Sequence, residues 1–274
     1  MLRVFLFLLI LALLWSPIAL SVYWPQGWFY GVAAAEIVAL VLLYAGFLIG
    51  LPVWGRRVHD WKLPFQQCGL RLQPQFAKDV GIALAIGVLG VFSLFGLETL
   101  LGWAQPATPS PRLLRFVLEG LLLALAIGFA EEMLFRGWIL AELEKSYAST
   151  NALVINAVVF AVAHFIKPWD EIARTLPQFL GLVVLGLALV WSRRSPTGVA
   201  GKRLTRLGYP IGLHAGLVWG YYIVNVGGLS EYTGRVPEWV TGIDSNPLAG
   251  ALGVVLLSLI GWQFAKTARQ KAIA

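Results

Sequence analysis

Eight stretches of this chain are apolar over lengths close to what a helix needs to cross a bilayer, and nothing else in the sequence constrains the fold as much. They run about Val4 to Val22, Gly31 to Trp54, Val80 to Trp103, Leu113 to Leu140, Leu153 to Ile166, Gln178 to Trp191, Pro210 to Val226 and Leu248 to Phe264. A crossing takes roughly 17–25 residues, and the fifth and sixth stretches fall short of it. Hydrocarbon offers a bare peptide group no partner, so each stretch is expected as a helix that bonds its own backbone. The two short ones, linked between Pro168 and Pro177, are expected to be shielded by neighbours. The predicted fold is all-α: a polytopic membrane helix bundle of about eight transmembrane helices, one domain over residues 1–274, with its motif-bearing core at 113–226. A composition of 58% hydrophobic and 13% charged residues excludes a soluble domain.

The net charge of +7 does not point to nucleic acid, because Lys and Arg gather in the loops beside the apolar stretches. Lipid headgroups are the expected partners there. One side would hold Arg3, Arg56, Arg57, Lys62, Arg71, Lys78, Lys145, Arg193, Arg194, Lys202, Arg203, Arg206, Lys266, Arg269 and Lys271. The other would hold only Arg112, Arg115, Lys167, Arg174 and Arg235. The positive-inside rule then places both termini in the cytoplasm. No A-x-A site follows the first stretch, which is read as an uncleaved span. Trp15, Trp24, Trp28, Trp54, Trp61, Trp103, Trp191 and Trp262 lie near proposed span ends, as in an aromatic belt, and "GRRVHDWK" at residues 55–62 reads as an interfacial anchor. Cys68, the single cysteine, excludes an internal disulfide.

The fourth stretch contains "GFAEEMLFRGW", residues 128–138. An ionised group at the centre of a membrane helix costs about 2.5–3.5 kcal/mol on insertion scales, so Glu131, Glu132 and Arg136 require partners or a wet cavity. Glu132 and Arg136 are one helical turn apart and can pair. Glu131 points roughly 100° away and needs something else. Of three histidines, His164 and His214 lie in apolar stretches. Counting at 1.5 Å per residue from the proposed cytoplasmic boundaries puts Glu131 about 13 Å deep, His164 roughly 16 Å and His214 roughly 6–9 Å. With boundaries free to move by a few residues, all three can meet in the cytoplasmic half of the membrane. Glu36, Glu98 and Glu119 are expected near the other ends of their spans, within reach of water, and without a chemical role. Gly212, Gly216 and Gly220 repeat every four residues, a spacing that admits a neighbouring backbone and turns His214 elsewhere.

Glu131-Glu132-x-x-x-Arg136, Phe160-x-x-x-His164 and a later apolar helix with His214 together resemble the CPBP family of intramembrane proteases, which includes type II CAAX prenyl endopeptidases and Abi-type bacteriocin-immunity proteins. The resemblance spans roughly Leu113 to Tyr222. It implies an eight-helix bundle and an endopeptidase acting on a peptide or a prenylated membrane protein near the cytoplasmic side. Glu131 would be the general base, Glu132 and Arg136 would hold the site in shape, and His164 and His214 would complete it. The family's third motif reads His-x-x-x-Asn, its Asn stabilising the oxyanion, whereas this chain has Val218. Asn156 and Tyr221 are the candidate substitutes.

Two mechanisms are open at this point. In one, Glu131, its pKa raised by burial, activates water while the histidines orient it. In the other, Glu131, His164 and His214 are metal ligands for zinc, with a water in the open position. The chain has no H-E-x-x-H motif and no G-x-S-x-G motif, and Asp60, Asp79, Asp170 and Asp244 are expected in loops, which excludes an aspartyl dyad in the membrane. Two alternatives come from other classes. One is a catalytically inactive membrane scaffold, favoured by Val218; the other is a proton-coupled transporter, disfavoured by the lack of inverted repeats.

Overall fold

The computed structural model describes residues 1–23, 32–195 and 206–270. Trp24, Trp28, Gly31, Lys202, Arg203 and Lys271 lie outside the described residues. Each of the eight apolar stretches is helical over most of its described length. They form α1 (Leu2–Tyr23), α2 (Val32–His59), α4 (Pro74–Leu100), α5 (Leu113–Glu132), α7 (Ser149–Ala163), α9 (Gln178–Arg194), α10 (Gly208–Val226) and α12 (Ala251–Gln270). Short helices α3 (Pro64–Gln67), α6 (Leu140–Glu144), α8 (Trp169–Thr175) and α11 (Glu238–Thr241) join them, and a π-helix, Met133–Ile139, links α5 to α6. The one sheet among the described residues is small: β1 (Ala104–Pro106) pairs antiparallel with β2 (Ser230–Tyr232).

The protein is an integral membrane protein built as an all-α polytopic bundle. Large side chains such as Leu14, Ile49 and Leu122 stand about 70% exposed, 69%, 72% and 71% respectively, on faces that only lipid can cover. Five helical segments are long and apolar enough to cross a bilayer, and a sixth is gained if α8 and α9, bent by 75°, count as one broken span. The expected number of eight crossings is thus not reached on length and composition. α7 is short, and Gly, Tyr and Pro dilute the hydropathy of α10, which packs between α4, α5 and α9.

The α10 glycines behave as their spacing requires. A Cβ on Gly212 would strike the Val80 carbonyl and one on Gly216 the Leu84 carbonyl, so α10 lies backbone to backbone on α4. From the other helix, Gly87 admits the α10 backbone at Gly216 and Leu217. The face of α10 that carries His214 is turned away from this contact.

Both termini lie at the same end of the bundle. The Phe7 ring is 5.3 Å from that of Trp54 near the end of α2, and Ser195 Oγ, just past α9, donates to the Phe264 carbonyl at 3.2 Å. The opposite end carries the sheet and the connection from 227 to 250, tied to α8 by Arg174 and Asp244 at 3.1 Å.

Three expectations about polar residues need correction. Asp79 is not in a loop: it sits inside α4, fully buried, accepting from Gln75 Nε2 at 2.7 Å and facing Arg206 at 3.8 Å. Glu36 and Glu119 are exposed, but Glu98 is fully buried and neither carboxylate oxygen has a hydrogen-bond partner. In 55–62 the cations Arg56, Arg57 and Lys62 are exposed, as an anchor requires, but the rings are not. His59 turns inward to Glu142 at 2.7 Å, Trp61 stacks on His59, and Trp54 donates to the same carboxylate at 2.8 Å. A buried carboxylate on α6 outcompetes the interface for these rings, because a charge removed from water must be paired.

The arrangement of ends predicts the outcome of labelling with a membrane-impermeant maleimide in a Cys68→Ala background. Cysteines at Arg3 and Arg269 should react from one face, and those at Arg112 and Arg235 from the other.

Candidate active site

The Glu131-Glu132 pair closes α5 where the helix widens into seven residues of π-helix. Such widened turns cluster at functional sites because they re-aim side chains that a regular helix would stack. Here the π segment is braced from outside: Asn156 on α7 donates Nδ2 to the Phe135 carbonyl at 2.8 Å. Asn156 is therefore engaged with backbone and does not line the cavity described below, which removes it as a substitute for the missing amide at 218.

Glu132 and Arg136 pair as their spacing requires, at 3.0 Å, and both are fully buried. The guanidinium also donates to the Gly186 carbonyl at 3.3 Å and lies 4.0 Å from the centroid of the Phe160 ring. One cation thus joins α5, α7 and α9. The same Glu132 oxygen receives His214 Nδ1 at 2.9 Å. A carboxylate accepts, so Nδ1 of His214 carries a proton and, in the neutral ring, Nε2 offers a lone pair. His164, at the C-terminal cap of α7, donates Nδ1 to the Phe160 carbonyl at 2.8 Å, which leaves its own Nε2 in the same state.

Both free nitrogens face Glu131. Its Oε2 is 3.8 Å from His164 Nε2 and 4.0 Å from His214 Nε2, and it has no hydrogen-bond partner. These separations exceed hydrogen-bond length. Three acceptors around one gap require something that donates between them, and a water bonded at about 2.8 Å to two groups so spaced would open an angle of roughly 90°. A tetrahedral zinc ion with bonds near 2.05 Å would instead draw its ligands to about 3.3 Å apart. Among the described residues, no group of three His, Cys, Asp or Glu side chains is placed to hold a metal ion. The separations as they stand are those of groups bridged by a water, and they exceed what direct zinc ligation would set by about 0.5–0.7 Å.

The gap opens into a cavity of about 350 Å³. Its polar lining comprises Glu131, His164, Gln178, His214, Tyr221 and Asn246, and Val218 is part of the wall. The other walls are apolar, with Leu182, Leu185, Leu217 and Leu257 among them. Gln178 and Asn246 escape a sequence reading: each is an ordinary polar residue beside a proline, and only the fold brings them here.

The cavity enters α9 and α12 by their first turns and α4 by its last third, so it runs from mid-bundle toward the end opposite both termini. α7 is 15 residues long, and His164 caps its C-terminus. Outside the spans, Cys68 is buried and its thiol is pushed up to about 12, mainly by that burial, so it is no nucleophile at neutral pH.

Residues 113–220 match the family model described as type II CAAX prenyl endopeptidase, Rce1-like, and so does the resemblance read from the motifs. The matched stretch holds Glu131, Glu132, Arg136, His164, His214 and Val218, and stops short of Tyr221 and Asn246. No curated protein and no solved structure matches the chain.

The two glutamates should part company in stability. Replacing Arg136 by Met leaves Glu132 buried without its cation and should cost about 3–5 kcal/mol in unfolding measured in detergent. Glu131→Gln should cost less than about 1 kcal/mol, since the side chain has no hydrogen bond to lose.

Proposed function

We propose, on the premise that residues 113–220 belong to the Rce1-like type II CAAX prenyl endopeptidase family, that the protein is an intramembrane endopeptidase that hydrolyses a peptide bond with a water activated by Glu131. The observation that carries this reading is the unpartnered Glu131 oxygen faced by two imidazole Nε2 atoms at 3.8 and 4.0 Å.

The chemistry follows from the atoms present. Water in the gap donates one proton to Glu131 and the other to an imidazole Nε2. Glu131 removes its proton as the water oxygen bonds to the substrate carbonyl carbon, and the carbonyl electrons move onto oxygen. The new carboxylic acid then gives that proton to the leaving nitrogen as the C–N bond breaks. His214 keeps its ring orientation through Glu132, which Arg136 holds in turn, so these two residues position the site and do not touch the substrate. No step requires a metal, and the donor separations favour this route over the zinc alternative.

The cavity favours a chain segment with apolar side chains, whether membrane-embedded or carrying a prenyl group, entering from the bundle end opposite the termini. Membrane lipid surrounds the rest of the molecule.

Purified protein in detergent should cleave at least one of two internally quenched probes, a farnesylated peptide ending in a CAAX sequence and an unprenylated apolar peptide. Glu131→Gln and His164→Ala should each lower the rate by at least about 100-fold. A chelator should leave the wild-type rate unchanged, and loss of activity restored by zinc would reinstate the metal route. Folded wild type inert toward both probes would favour the inactive scaffold, and cleavage insensitive to both substitutions would sink the site.

A further inference from the structure

Addition of water to an amide puts negative charge on the carbonyl oxygen, and a site that accelerates the step needs a donor aimed at that oxygen. The residue one turn beyond His214 on the cavity wall is Val218, which has no proton to give. The histidine Nδ1 protons are committed to Glu132 and to the Phe160 carbonyl. Tyr221 sends its hydroxyl to the Ser245 carbonyl at 3.2 Å while receiving Asn225 Nδ2 at 3.1 Å. Two side-chain amides remain on the lining, Gln178 and Asn246.

Asn246 is the one that is held. Its Oδ1 accepts the Leu248 backbone N–H at 2.9 Å, which fixes the amide plane and leaves Nδ2 without a partner among the described residues. Its own backbone N–H donates to the Ile243 carbonyl at 3.0 Å, and its carbonyl accepts from Ala249 at 2.9 Å. The segment it heads is wedged between two helices: the Leu248 carbonyl packs where a Cβ on Gly181 of α9 would be, and the Pro247 carbonyl packs against Gly253 of α12. Gln178 has one more rotatable bond and no hydrogen bond to orient it. A donor pinned before the substrate arrives loses no freedom at the moment of reaction, which is what makes such donors effective.

We infer that Asn246 is a catalytic residue that donates Nδ2–H to the oxyanion formed when the Glu131-activated water adds to the substrate carbonyl. The inference rests on the endopeptidase reading. It also gives the connection between α10 and α12 a chemical task, completing the site from outside the residues that match the family model.

Asn246→Asp separates this role from a structural one, because it keeps an oxygen that accepts from Leu248 and replaces the donor amide by a carboxylate oxygen. With whichever of the two quenched peptides is cleaved, kcat and KM are measured for wild type, Asn246→Asp, Asn246→Ala, the double variant Asn246→Asp/Val218→Asn, and Glu131→Gln as the blank. Asn246→Asp should lower kcat by about 100 to 1,000-fold with KM changed by less than about threefold. An amide restored one turn from His214 by Val218→Asn should recover at least about tenfold of the lost kcat. A kcat for Asn246→Asp within about threefold of wild type would overturn the inference, as would a change in KM alone. Loss of kcat without rescue and with a matching fall in thermal stability would assign Asn246 to holding its loop and overturn it equally. Wild type lacking Glu131-dependent cleavage would bring down both this inference and the endopeptidase reading. Glu131-dependent cleavage indifferent to Asn246→Asp would bring down this one alone.

Discussion

One carboxylate oxygen, Glu132 Oε1, organises the interior of this bundle. It receives Arg136 at 3.0 Å and His214 Nδ1 at 2.9 Å, while the other ring nitrogen of His214 faces Glu131 at 4.0 Å. Two ionised groups away from water are tolerable only when they are paired, so this oxygen ties α10 to α5. Arg136 extends the constraint to α9 through the Gly186 carbonyl and to α7 through the Phe160 ring. Four helices are thereby held around a centre whose charges cancel, and Glu131, the neighbouring residue, is left free to face the cavity.

Apolar packing makes that arrangement rigid. α10 cannot shift to relieve strain at His214, because its opposite face is locked against the α4 backbone at Gly212 and Gly216. α7 and α9 approach equally closely where Gly186 meets Ala157. Small residues placed where helices touch and charged residues placed where they diverge are two halves of one design: the first bring backbones together, and the second fill the space that opens beyond them.

Much of this was legible in the sequence because lipid makes polar groups conspicuous. Glu131, Glu132, Arg136, His164 and His214 stand out against apolar neighbours, and helical spacing alone tells which can pair and which cannot. The glycine stripe declares its packing by the same logic. Other features leave no such trace. Asn246 is a polar residue in a polar connection, and its relation to Glu131 exists only once α9 and α12 have closed on Pro247 and Leu248. Glu98 and Asp79 lie near helix ends, where distance from a boundary says little about burial, since a neighbouring element can cover them. His59 and Glu142 are far apart in sequence, and each alone reads as a residue of the membrane surface. The direction in which the cavity opens leaves no trace either, because it depends on how α4, α9 and α12 are arranged around Glu131.

The π-helix between Glu132 and Leu140 has a further consequence. It accommodates extra chain in a widened turn, and so sets the rotation of α6 relative to α5. Upstream of it lies the Glu131-Glu132 pair; downstream, Glu142 must face His59 and Trp54 at 2.7 and 2.8 Å. The two polar clusters are geared together through this one segment, each fixing what the other can be. Side chains along 133–139 can change in size with local effect, but inserting or deleting a single residue would turn one cluster out of register with its partners whichever way the helix relaxed. Along this stretch, chain length is under tighter constraint than composition.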